Sequence, residues 1–356
     1  MKLGIPRWAK IALEAVLLGL LVLFFVLVLD FEDVRGNIKR ITLQAALGVM
    51  GFQLALQLIG AFQWGLILRE AGIHRGPWQV FWARLSGFSV TYLTPSLYFG
   101  GEPVRASVYK SGAMSYRRLY ATIALDKYIE IFTKFPCIIA GFAILVVLAH
   151  PSIVLVAVSG AVLFFLLVFF ILLFVKVFAS PGLIVHFFRR LVRPLARINP
   201  RAAVKVIRAM KEFARDLAEI IGQRRVFYLA MLSGVAVAVV EVFQTCFILG
   251  VLDPSGSGRD RLLHSFVIFA TVFIQALVGL LPGNLGGMEA THLAIFNVLG
   301  LGTTRSLVYT IILRIGQMSM VLLGILNIVR WRLRRATRHG STPGERKGAD
   351  RNRTDA

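Results

Sequence analysis

The sequence predicts an all-α polytopic membrane protein, and three observations carry that assignment. Hydrophobic residues are 57% of 356 and the mean hydropathy is +0.74, above the roughly 45–50% apolar usage of soluble domains. Ser152 to Val175 is an uncharged run of 24 residues, enough to cross a ~30 Å hydrocarbon core at ~1.5 Å per residue. The third observation is where the basic residues fall. The net charge is +22, yet 31 of the 40 Lys and Arg lie in alternating loops or at the termini: three near the N-terminus, seven around 69–84 and 105–118, Lys176, eleven from Arg189 to Arg225, and nine from Arg330 onward. The intervening loops hold six. That asymmetry is the positive-inside pattern with both termini cytoplasmic, and it removes the nucleic-acid reading that a basic chain otherwise invites.

The charge pattern orders the spans. Residues 11–29 go out, 41–68 return, 119–149 go out and 152–178 return; after a cytoplasmic stretch, 226–251 go out and 305–330 return. The first of these follows Lys2, Arg7 and Lys10 and ends Val28-Leu29-Asp30 with no small-residue cleavage site. It therefore reads as a retained span rather than a signal peptide. Residues 184–222 connect the halves. Ile184, Phe187, Phe188, Leu191, Leu195 and Ile198 share a helical stripe, with Arg189, Arg193 and Arg197 on another face. This suits either an interfacial helix touching anionic headgroups or a solvated linker. The expected domains are a transmembrane domain over 1–332, with halves at about 41–149 and 226–330 and a connector at about 180–225, then a basic disordered cytoplasmic tail over 333–356.

Two regions, 78–118 and 262–303, begin and end on one side and are expected to be re-entrant or broken helical hairpins, the alternative being a pair of full membrane crossings in each. Each carries the same device. Thr94-Pro-Ser-Leu-Tyr-Phe-Gly-Gly-Glu102 and Leu281-Pro-Gly-Asn-Leu-Gly-Gly-Met-Glu289 run from a proline through a glycine pair to a glutamate. The same 187 positions separate Pro95 from Pro282 and Glu102 from Glu289. A helix-breaking cluster beside a carboxylate is costly in apolar sequence unless protein or water surrounds it. Paired broken segments in two halves of opposite orientation point to an inverted-topology repeat with a substrate site between its hairpins.

Charges inside the spans mark candidate binding residues. Asp126, Lys127, Glu130 and Lys134 fall within one arc of about 100° on a helix. Such a stripe must face the bundle interior, as a ligand-facing surface or as a self-neutralising ion-pair ladder. Arg314 lies 16 residues before Arg330 and nine after Arg305, about 24 Å and 14 Å along a helix at ~1.5 Å per residue. That is too deep to snorkel, so it requires an acidic partner, Glu289 or Glu241, or an anionic ligand. Gln53 and Gln57 either line the same cavity or bond between helices. His292 follows Glu289 by three and reads as a base, a ligand or a hydrogen-bonded buried imidazole. Cys137 and Cys246 lie in apolar segments and form no disulfide or zinc framework.

Pro95 through Gly100-Gly101-Glu102-Pro-Val-Arg105, Ala124-Leu-Asp126-Lys127, Leu281-Pro282 through Gly286-Gly287-Met-Glu289, Gly300 and Ile312-Leu-Arg314 together resemble the transmembrane-domain family of lysylphosphatidylglycerol synthases and flippases. The resemblance spans about residues 10–332 and implies a flippase-like domain moving a phospholipid, aminoacylated lipid, glycolipid or polyprenyl phosphate between leaflets of the plasma membrane. The implied partners are membrane lipids, as substrate and as anionic headgroups, with a lipid- or glycan-biosynthesis enzyme as a further partner. The substrate-contacting set is Glu102, Arg105, Asp126, Lys127, Glu130, Glu289 and Arg314, with Arg105, Lys127 and Arg314 toward phosphate. Two departures stand out. Lys127 occupies a position where the family usually has arginine, which removes a bidentate phosphate contact. The cytosolic aminoacyl-transferase domain is missing, so the chain is not expected to be the synthase by itself. No Walker-type sequence is present, no cofactor is expected, and no enzyme activity is expected. The competing classes are a small-solute secondary transporter and a membrane-embedded enzyme or accessory subunit of lipid or glycan biosynthesis.

Overall fold

The computed structural model describes residues 42–94, 100–110, 114–149, 200–272, 275 and 282–340, with isolated helical positions between 160 and 190. The described residues hold helices and no strand. Their order is α1 (Leu43–Glu70), α2 (Pro77–Leu93), α3 (Glu102–Tyr109), α4 (Tyr116–Phe132), α5 (Phe135–Ala149), α6 (Pro200–Ile221), α7 (Arg224–Leu252), α8 (Gly258–Ala270), α9 (Gly287–Val298) and α10 (Thr303–Gly340). Four stretches are long and apolar enough to cross a membrane: Leu43–Glu70, Tyr116–Leu148, Arg224–Leu252 and Thr303–Arg334. They match four of the six expected spans. The other two, 11–29 and 152–178, fall outside the described residues apart from isolated helical positions, as does the stripe at 184–198.

Local chemistry accounts for the breaks. The expected span 119–149 is two helices because Pro136 has no N–H to offer the carbonyl of Phe132. At the break the Thr133 N–H and hydroxyl both donate to Ile129 O, at 3.0 and 2.8 Å. Pro77 opens α2 and Pro103 stands in the first turn of α3, where no N–H is needed. The second hairpin turns through a short 3₁₀ segment, Pro282–Asn284, in which Gly283 and Asn284 have φ of 66° and 52°. Gly286 follows at φ 80°, a conformation glycine adopts without strain. At the other end of the chain, α10 continues helical through Gly340. The first eight residues of the expected disordered tail, 333–340, are therefore helix.

The chain forms two compact units, each assembled from separate stretches. Unit 1 comprises residues 1–53, 134–168 and 238–317; unit 2 comprises 54–133, 169–237 and 318–356. In unit 1, Val49, Ile248, Ile268, Phe296, Val308 and Ile312 form a buried cluster. There α5 packs on α8 so closely that a Cβ on Gly141 would stand 2.0 Å from Phe266 O. In unit 2 the core is built on Trp64, Ile67, Leu85, Leu119, Ile123 and Ile129. Here α2 packs on α3, α3 on α4, and α6 on α4. The last contact is ionic at its edge: Arg117 reaches Asp216 at 2.7 Å and also Glu212, and Arg118 meets Glu219 at 2.8 Å. Arg117 and Arg118, two of the basic residues counted at 105–118, are thus paired rather than free topology charges.

Candidate functional site: two buried charge clusters

In unit 2 the hairpin helices α2 and α3 deliver two arginines to one carboxylate on α4. Asp126 Oδ2 accepts from Arg84 Nη1 at 2.6 Å and from Arg105 Nη2 at 2.7 Å. Its Oδ1 accepts from Gln63 Nε2 on α1 at 2.9 Å. Asp126 is fully buried and Arg105 is 7% exposed. Such a set persists because removing water from a charge costs several kcal/mol unless partners replace it. Arg84 also meets Glu130 at 3.3 Å, and Lys127 meets Glu130 at 3.4 Å one turn back. The charged stripe read from the sequence therefore points mostly at the hairpin rather than neutralising itself. Lys134 lies past the break, in unit 1, and pairs with Glu241 at 2.8 Å.

The helix start that carries Glu102 is held by a close crossing. Gly101 N donates to the Thr91 hydroxyl at 2.9 Å, and a Cβ on Gly101 would stand 1.8 Å from Gly87 O. Only glycine fits there. Glu102 Oε2 is buried and has no hydrogen-bond partner, and the same is true of Arg105 Nε one turn on. Arg105 in addition lies 3.6 Å from the centre of the Trp64 ring, whose Nε1 donates to Thr122 at 3.1 Å. Trp64 in turn packs against Tyr109 with ring centres 5.0 Å apart, and Arg75 sits 5.4 Å from the Tyr109 ring centre. A continuous run of cation and ring contacts leads from the acidic cluster to the outer end of α3.

In unit 1 the roles are exchanged: the hairpin supplies the acid and the span supplies the base. Arg314 on α10 donates through Nε to Glu289 Oε1 at 2.8 Å, through Nη2 to the same oxygen, and through Nη1 to Gly283 O at 3.0 Å. Glu289 Oε2 accepts from Gly286 N at 2.8 Å, closing the first turn of α9 as a capping box does. Of the two partners the sequence offered Arg314, the structure selects Glu289. His292 is 2% exposed and bonds Gln275 at 2.9 Å and Thr310 at 2.8 Å, a satisfied buried imidazole. Gln53 bonds Gln244 at 3.2 Å, an interhelical link.

Five of the seven sequence-assigned residues, Glu102, Arg105, Asp126, Lys127 and Glu130, thus gather in unit 2, and Glu289 and Arg314 pair in unit 1. Sequence reasoning missed Arg84, Gln63 and Trp64. Arg84 was counted among loop charges, although it sits within the apolar run of α2, and that placement was the available signal. No group of three or more His, Cys, Asp or Glu that would hold a metal occurs among the described residues.

Comparison with known proteins adds the lineage. The family described as "Lysylphosphatidylglycerol synthase TM region" matches residues 11–324. A "UPF0104 membrane protein" of Methanothermobacter thermautotrophicus is 22% identical over 298 residues, covering 82% of this chain and 86% of that one. A second protein of the same description, from Pyrococcus horikoshii, is 22% identical over 250 residues, covering 68% and 73%. No solved structure matches.

Proposed function

This chain belongs to the lysylphosphatidylglycerol synthase transmembrane-region family, and from that premise we propose that it is a lipid translocase without catalytic chemistry of its own. Its substrate is a polar or phosphate-bearing lipid whose headgroup crosses between leaflets while the tails stay in the bilayer. The two hairpins act as re-entrant arms of an inverted repeat in the plasma membrane, with both chain termini cytoplasmic.

The observation that carries this reading is the unit 2 cluster at a helix break. Arg84, Arg105 and Lys127 outnumber the paired carboxylates of Asp126 and Glu130. Beside them, Glu102 Oε2 and Arg105 Nε are buried without partners. Buried polar atoms are normally satisfied, and an exception calls for a ligand or a mechanistic role. A phosphate fits the Arg105 Nε donor, and a cationic headgroup or a proton fits the Glu102 oxygen. Ionisable groups within apolar helices are expensive and mark pathways for polar cargo. A membrane-embedded enzyme would need a nucleophile or metal cluster, and the buried His292 has both ring nitrogens engaged.

The test is reconstitution. Purified protein in liposomes should move a headgroup-labelled phospholipid across the bilayer without ATP. Absence of movement under every imposed gradient, or a chemically altered lipid product, would overturn the assignment.

A further inference from the structure

We propose that Glu241, in unit 1, is a proton-binding site in the membrane interior, and that the proton it carries is the coupling ion for transport. The site stands on the geometry of unit 1 alone, and the coupling rests on the translocase reading given above.

Among the described residues, two carboxylate oxygens are buried without a hydrogen-bond partner, Glu102 Oε2 and Glu241 Oε2. Glu102 stands at a helix start, whereas Glu241 stands deep in a spanning helix. It lies 17 positions after Arg224 and 11 before Leu252 in α7, about 26 Å and 17 Å from the two ends at ~1.5 Å per residue. Its other oxygen, Oε1, accepts from Lys134 Nζ at 2.8 Å. Lys134 lies between the C-cap of α4 at Thr133 and Pro136, so this pair ties the helix break to the interior of α7.

A second polar group near by is also incompletely used. Gln244, three positions on from Glu241, is 3% exposed; its oxygen accepts from Gln53 Nε2 at 3.2 Å, while its own Nε2 has no partner. Turning both amides over would exchange the spare donor for a spare acceptor, so Gln244 keeps a spare polar atom in either orientation. The rest of the surroundings is apolar: Ile138 of α5, Ala238 and Val242 of α7, and Phe269 and Ala270 of α8 form a buried cluster. Besides Lys134, the titratable groups within electrostatic reach of Glu241 are Cys137 on α5 and Tyr309 on α10. The Tyr309 hydroxyl bonds Thr245 at 3.1 Å.

This chemistry selects a proton. A metal cation needs a shell of several oxygen ligands, which one carboxylate oxygen beside an ammonium does not provide. A proton needs one lone pair, and Oε2 offers it. Binding it turns the carboxylate into a carboxylic acid, releases Lys134 from Glu241 and adds one positive charge to the site. Acidic side chains in apolar helices serve as proton relays for this reason.

The test reads the carboxyl group directly. The full chain, purified in maltoside detergent, is followed by infrared difference spectroscopy as the solution is taken from about pH 9 to about pH 5. A high-frequency carboxylic-acid band that shifts in heavy water should appear. Glu241→Gln should remove it, Glu241→Asp should restore it at a changed position, and Glu212→Gln, at an exposed carboxylate, should leave it as in wild type. In liposomes at zero membrane potential, one proton per lipid sustains about a tenfold leaflet imbalance of labelled lipid per pH unit imposed. Wild type should reach that imbalance and Glu241→Gln should show none. Absence of the band from wild type, or its loss in Glu102→Gln and not in Glu241→Gln, overturns the proton site. Lipid movement indifferent to the pH difference overturns the coupling and upholds the translocase. A Glu241 band without any lipid movement upholds the site and overturns the translocase.

Discussion

The two broken hairpins carry one motif at matching positions of the chain, yet they use its glutamate in opposite ways. Glu289 is fully engaged: one oxygen takes Arg314 and the other takes the Gly286 N–H. Glu102, 187 positions earlier, leaves Oε2 buried and unpaired, while the neighbouring Arg105 is drawn to Asp126. The second hairpin is therefore locked through its acid, and the first is anchored through its bases with its acid to spare. A sequence motif repeated twice need not do one job twice. Here one copy is tied into the fold and the other keeps a buried carboxylate oxygen without a partner.

The comparison breaks most visibly at Asp126. Asp126→Asn keeps the shape but leaves Arg84 and Arg105 facing a neutral amide, a loss on the order of 3–5 kcal/mol for breaking a buried ionic set. A large fall in melting temperature by circular dichroism is expected. Arg314→Gln comes next, about 2–3 kcal/mol. It strands Glu289, but that carboxylate keeps the Gly286 N–H and both partners retain some exposure, at 16% and 11%. Glu102→Gln should change stability least, within about 0.5 kcal/mol, while reducing lipid movement in the liposome assay by at least tenfold. Equal melting shifts for Glu102→Gln and Arg314→Gln would erase the distinction between the two hairpins, as would unimpaired transport by Glu102→Gln.

Much of this was legible in the chain because membrane helices obey few rules. Length and apolar composition placed six spans, four of which are found among the described residues, and the Pro/Gly clusters placed a break in the helical run at each motif. The depth of Arg314 demanded a partner, but the sequence left Glu289 and Glu241 both open and only the structure selects Glu289. What failed to show was long-range pairing between charges. The helical arc of Asp126, Lys127 and Glu130 gave the face they occupy but not what stands opposite. Arg84, 42 positions before Asp126 in sequence, sits near enough to a basic loop to pass for a topology charge. Nor does sequence reveal an unpaired atom, since the Glu102 and Glu289 motifs differ little and only the packing of each helix start separates their roles. The break between α4 and α5 was readable from Pro136 but hidden by the hydrophobicity of the residues around it.

That two arginines converge on one oxygen of Asp126 also restricts how this protein's lineage can drift. The Glu289–Arg314 pair also engages the backbone, with the Gly286 N–H on the acid and the Gly283 carbonyl on the base, so a reciprocal exchange of acid and base would break both. The Asp126 set is a three-body contact whose cations come from different hairpin helices. Replacing Asp126 first strands Arg105, because Arg84 alone keeps a second carboxylate, Glu130 at 3.3 Å. Change should therefore accumulate around this triad long before it enters it, and its three members should vary together or not at all.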